Sequence, residues 1–182
     1  MDAGGSSLMG YSSDRMKSVI IVGVGNEYRR DDGIGVVVAR HLKSMLDSND
    51  VDVVEVSDAS SIIDVMEMGY KKMIIVDAIH SSAAVGTVYR FSKEEMLNMT
   101  NIKRYLLLPS SAASSTHAMD VVEALKLAIE LGIARDMDVV MFGVEGKDFG
   151  LGRGLSKEVE RSIHRVVEEV AKEIVRVKHN NA

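Results

Sequence analysis

From Ser18 the chain reads Ser-Val-Ile-Ile-Val-Gly-Val, an unbroken apolar run that ends at Val24. A strand with one wet face would alternate apolar and polar residues, so this run predicts a strand covered on both faces. Directly after the next turn, Ile34, Val37, Val38, His41, Leu42, Met45 and Leu46 recur at helical spacing. That pattern predicts a helix over Ile34–Leu46 with these residues on its buried side. Residues 51–57 alternate and read as a strand, 60–68 as a short helix, and 72–78 as a second fully buried strand. Residues 85–91 are shorter and more polar. They fit an edge strand, and the short loop before them favours an antiparallel arrangement. The stretch 98–116 has little pattern and reads mainly as loop, with a short strand at 104–108 and the single proline, Pro109. Periodicity returns over Ala118–Leu131, with Gly132 placed as a helix stop. Asp138–Val144 is a further buried strand. Val159, Ile163, Val166, Val167, Val170, Ile174 and Val177 then stripe a last helix that starts at Ser156.

Strands alternating with amphipathic helices predict an α/β three-layer sandwich, a mainly parallel twisted sheet with helices on both faces. The glycine- and serine-rich residues 1–17 read as a flexible amino-terminal extension, and 18–179 as a single domain. With 182 residues and 46% hydrophobic content, the chain suits one sizeable core. Its formal charge of -5 and lack of a basic stripe argue against nucleic acid or anionic lipid as partners. No apolar run reaches transmembrane length and the amino terminus lacks a secretory pattern, so a cytoplasmic protein is expected. There is no cysteine. A thiolate nucleophile is thereby excluded, and any metal must be held by oxygen and imidazole ligands.

In a sheet of this kind the site lies beyond the carboxyl ends of the strands. Three polar residues fall there: Asp32 in the turn after the first strand, Asp77 at the carboxyl end of the Met73–Val76 run of the second buried strand, and His117 just before the Ala118 helix. Each also has a structural reading. Asp31 or Asp32 could cap the first helix, the commoner role for an acid at that place. Asp77 could serve a loop N–H, and His117 could simply open a helix. The turn itself, GVGNEYRRDDGIG over Gly23–Gly35, has Tyr28 where a dinucleotide fingerprint needs its third glycine, and it lacks the lysine of a P-loop. Two carboxylates at a helix start also oppose a phosphate. Two carboxylates and one imidazole instead suit a divalent transition metal with open coordination positions. Gly23 and Gly25 permit the sharp turn, Asn26 can close it locally, and Gly33 and Gly35 allow close packing at the helix start. Glu27 and His80 are secondary ligand candidates. Arg29 and Arg30 read as surface ion pairs and His41 as a packed histidine, while His164 and His179 have no acidic neighbours in this scheme.

The blocks GVGNEYRRDDGIGVVVARHL, IIVDAI, STHAMDVVEAL and GVEGKDFGLGRGLS, in that order and spacing, resemble the nickel-iron hydrogenase maturation endopeptidases. The resemblance covers nearly everything after residue 17. It implies that Asp32, Asp77 and His117 form a metal site, with aspartate at position 32 where the family often has glutamate. It further implies an endopeptidase that removes the carboxyl-terminal extension of a hydrogenase large-subunit precursor after nickel insertion, the nickel being supplied by that precursor. A different class is open on the same three residues: a noncatalytic nickel-sensing or metal-delivery protein. Oligomeric state is not set by these features.

Overall fold

Among the described residues five strands form one sheet: β1 Val19–Val24, β2 Val51–Val56, β3 Lys72–Ile79, β4 Val88–Ser92 and β5 Asp138–Glu145. The structure is a computed structural model describing residues 18–46, 51–98 and 117–180, except the side chains of 117–120 and 177–180. The extension 1–17 and the expected short strand at 104–108 lie outside the described residues. The strand order is β2-β1-β3-β5-β4, parallel throughout except for β4. β4 is an antiparallel edge strand, as its polarity predicts, yet its neighbour is β5 and not the preceding β3. The loop from β3 passes over the end of β5, where Gly86 N–H donates to Glu145 O at 2.8 Å and Glu145 N–H donates to Thr87 O at 2.8 Å.

Helices cover both faces, as the three-layer reading predicts. α1 (Ile34–Met45) and α5 (Lys157–Asn180) lie on one face, over Ile21, Ile74, Val140 and Phe142. α2 (Ser61–Glu67), α3 (Lys93–Leu97) and α4 (His117–Glu130) lie on the other, over Ile20, Ile75, Val139 and Met141. Strands with side chains buried above and below account for the unbroken apolar runs of β1 and β3. The short helix α3 was not anticipated from the pattern. Its signal is the capping box Ser92-x-x-Glu95, in which Glu95 N–H donates to Ser92 Oγ and Ser92 N–H donates to Glu95 Oε2.

The stripe expected on α1 is rotated in the structure. Gly35, Val36, Val38, Ala39 and Leu42 are buried, whereas His41 and Met45 are exposed. The face toward the sheet is made partly of small residues, which an apolar count overlooks. His41 is therefore not a packed histidine; its Nδ1 lies 2.9 Å from Val37 O on the outer side of the helix.

At the amino ends of β3 and β5, away from the predicted site, the buried Lys72 ammonium lies between Asp138 (2.6 Å) and Glu173 of α5 (2.7 Å). Glu173 also accepts from Arg90 at 3.0 Å and Arg176 at 3.2 Å. Burial alone would raise its carboxyl pKa, but hydrogen bonds from Arg90 and Lys72 outweigh that and carry it down to about 2.

Candidate active site

Helix α1 starts where the chain folds back over the ends of β1 and β3. Only glycine allows that approach at position 35, because a Cβ there would lie 2.2 Å from Val24 O and 2.3 Å from Val76 O. Gly25, with φ +135°, is equally constrained: a Cβ would lie 1.9 Å from Asp32 O. The tight 3-10 turn Arg30–Gly33 is thereby seated on the strand ends. Asn26 Oδ1 accepts from Tyr28 N–H at 2.9 Å and closes the loop before it.

This is also where the strand order reverses. β1 leads outward to β2, while its other neighbour, β3, leads toward β5, so the crevice between β1 and β3 is the switch point. Asp77 stands one residue beyond the Gly23–Val76 pair of those strands, opposite Gly143 of β5. It is fully buried, and its Oδ1 accepts from Ala78 N–H at 2.8 Å. Strand alternation places it with Met73, Ile75 and Ile79, on the face covered by α4. His117 is the first residue of that helix, and its side chain lies outside the described residues. Among the described residues no three His, Asp or Glu side chains group closely enough to hold a metal ion.

Both acids of the turn are buried, at 0% for Asp31 and 1% for Asp32. Neither caps a helix: the 3-10 turn and α1 have no side-chain cap. Asp32 Oδ2 accepts from Asn26 N–H at 2.9 Å, back toward β1. Asp31 is turned to the loop between β5 and α5, where Lys147, Asp148 and Ser156 N–H groups donate to it at 3.0, 3.0 and 2.6 Å. The sequence reading assigns the metal role to Asp32, offers either acid as a helix cap, and gives Asp31 no role of its own. The signal that separates them is the remote Gly-rich segment GKDFGLGRGLS, whose backbone donors need an acceptor.

The secondary candidates have other partners. Glu27 forms an ion pair with Arg40 at 2.6 Å, and Arg40 also holds Glu55 at 2.9 Å. Arg30 pairs with Asp148 at 3.4 Å, as expected, but Arg29 donates to Phe149 O instead of an acid. His80 Nδ1 lies 3.2 Å from Gly146 O and 3.8 Å from Glu145 Oε1. A carbonyl only accepts, so in this contact Nδ1–H is the donor. Glu145 itself, 1% exposed, receives Ser81 N–H at 2.7 Å and Ser81 Oγ–H at 2.6 Å. His164 is exposed and lies 3.4 Å from Glu168, one helical turn on, a neighbour that the sequence reading did not assign.

The mainly parallel sheet, covered by helices on both faces and with a switch point between β1 and β3, defines an α/β protein of the doubly wound kind. A family model described as HycI, hydrogenase maturation protease, matches residues 36–173. A protein of Methanocaldococcus jannaschii named as a hydrogenase maturation protease is 31% identical over 152 residues, which cover 81% of this chain and 90% of that one. Among solved structures, the [NiFe] hydrogenase maturation protease HybD of Thermococcus kodakarensis matches with a TM-score of 0.69 and 29% identity, over 85% of this chain and 97% of its own. The Escherichia coli hydrogenase maturating endopeptidase HybD matches with a TM-score of 0.70 over 87% and 93% of the two chains; at 22% identity this likeness is one of fold. The chain belongs to the hydrogenase maturation protease family. Within the described residues no helix is long and apolar enough to cross a membrane.

Proposed function

We propose that this protein is an endopeptidase that removes the carboxyl-terminal extension of a nickel-iron hydrogenase large-subunit precursor once nickel has been inserted. The observation that carries the proposal is a pair of buried carboxylates near the switch point, Asp32 in the 3-10 turn that follows β1 and Asp77 near the carboxyl end of the adjacent strand β3, one residue past its pairing with β1. In this reading Asp32, Asp77 and His117 complete the coordination of nickel that the precursor brings. Oxygen and imidazole donors bind such an ion without the affinity of thiolates, and the chain has no cysteine with which to extract it. The nickel anchors the scissile peptide beside the acids and polarises its carbonyl or an attacking water.

The test is incubation with nickel-loaded precursor, followed by intact-mass measurement. Loss of the carboxyl-terminal segment is expected, and the nickel-free precursor should stay uncut. Binding without shortening would instead make the protein a nickel sensor or carrier.

A further inference from the structure

Asp31 is a fully buried carboxylate near the rim that accepts three main-chain donors, and nothing above gives it a part in cleavage. Its three donors come from the two ends of one loop, residues 146–156, and they replace the hydration it lost on burial. Main-chain bonds extend the junction. Asp31 N–H donates to Asp148 O at 3.0 Å, Arg30 N–H to Gly152 O at 3.1 Å, and Gly152 N–H to Tyr28 O at 2.9 Å. Farther out, the Arg153 guanidinium lies 4.5 Å over the Tyr28 ring. Turn and loop are joined along their whole length.

Arg30, inside this junction, has φ +52°, a left-handed conformation that side chains other than glycine rarely adopt. Such a conformation persists only where neighbours over-determine it. Here they are Gly152 on one side and Asp148 on the other, both in the loop that Asp31 binds. Two residues on is Asp32. We propose that Asp31 is a positioning residue: by fastening the 146–156 loop to the turn it holds Arg30 left-handed and so aims the Asp32 carboxylate. This rests on the reading that Asp32 engages the substrate's nickel.

Asparagine at position 31 has the same shape but a single acceptor oxygen. Whichever way the amide turns, its NH2 faces an N–H donor and part of the junction fails. Wild type, Asp31→Asn and Asp32→Ala would be compared on nickel-loaded precursor, with folding followed by circular dichroism and amide exchange by NMR. Asp31→Asn should lower kcat by about a hundredfold, as expected for misplacement near 1 Å. Its KM should stay within about twofold, since binding common to ground and transition states is kept. The Lys147, Asp148 and Ser156 amides should be protected in the wild type and exchange faster in the variant. A wild-type kcat in Asp31→Asn, or a raised KM at constant kcat, overturns the proposal. If that variant does not fold, exchange in the wild type decides: rapid exchange of the three amides overturns the proposal and protection supports it. Asp32→Ala separates the two readings. Should it process normally, the nickel reading has failed; should it be inactive beside an unimpaired Asp31→Asn, only the positioning role has.

Discussion

Replacing Gly35 by alanine sets two effects against each other. Alanine is the better helix former by about 1 kcal/mol, and Gly35 lies in the first turn of α1, so propensity alone predicts a more stable protein. The added methyl, however, would meet Val24 O at 2.2 Å and Val76 O at 2.3 Å, roughly 1 Å inside ordinary contact. Both oxygens belong to buried residues of the sheet and cannot swing aside. Helix α1 has to withdraw instead. Overpacking of this kind costs about 1–3 kcal/mol, and two rigid partners place it at the upper end. After the propensity gain a net loss of about 2 kcal/mol remains, a fall in Tm of about 4–8 °C for a chain of this length. The same withdrawal carries the turn with Asp32 off the strand ends, and a displacement near 1 Å is enough for a loss of about a hundredfold in processing rate. Thermal unfolding followed by circular dichroism reads the first effect, and precursor cleavage reads the second. A Gly35→Ala protein that is more stable than the wild type and cleaves normally would refute the seating of α1 on β1 and β3.

The ion cluster at the other end of the sheet predicts a pH dependence. Because the Glu173 carboxyl is lowered from 4.5 to about 2, its contribution is complete above pH 4.5 and fades as the pH falls toward 2. That contribution is about 3 kcal/mol, so Glu173→Gln should lose a similar amount in urea unfolding at neutral pH and show a flatter acid limb. Lys93 donates to Ala134 O, Arg135 O and Met137 O at 2.8, 2.7 and 2.9 Å. Lys93→Met should therefore cost about 1–3 kcal/mol by the same assay. Glu27 faces Arg40 in an exposed pair, so Glu27→Gln should alter stability by less than about 1 kcal/mol and leave cleavage intact. A large drop in cleavage would return Glu27 to the ligand set.

Much of this architecture is legible in the sequence because burial on two faces leaves unbroken apolar strands, and β1, β3 and β5 carry that signature. The edge position of β4 is visible in its polarity. What hides is whatever depends on backbone proximity. The α1 face differs from the expected stripe because Gly35 has no side chain and Ala39 only a methyl, so both weigh little in an apolar count although they pack closely on the sheet. The partner of β4 was misread because loop length says nothing of a strand supplied by residues 138–145. Asp32 falls, as its sequence position suggests, in the turn between β1 and α1, whereas β3 runs two residues past Asp77 instead of ending there. The division of labour between Asp31 and Asp32 does not follow from sequence position, since it is set by three N–H groups more than a hundred residues away.

The central claim is that Asp32, Asp77 and His117 bind a nickel ion carried by another protein, and the nickel K-edge tests it directly. X-ray absorption of nickel-loaded precursor, alone and then rapidly mixed with the wild-type protein and frozen before cleavage, should show additional oxygen or nitrogen ligands on mixing. The gain should shrink when His117→Ala takes the place of the wild type. A nickel spectrum that does not change on mixing, in a sample where the two proteins are bound, would contradict the account.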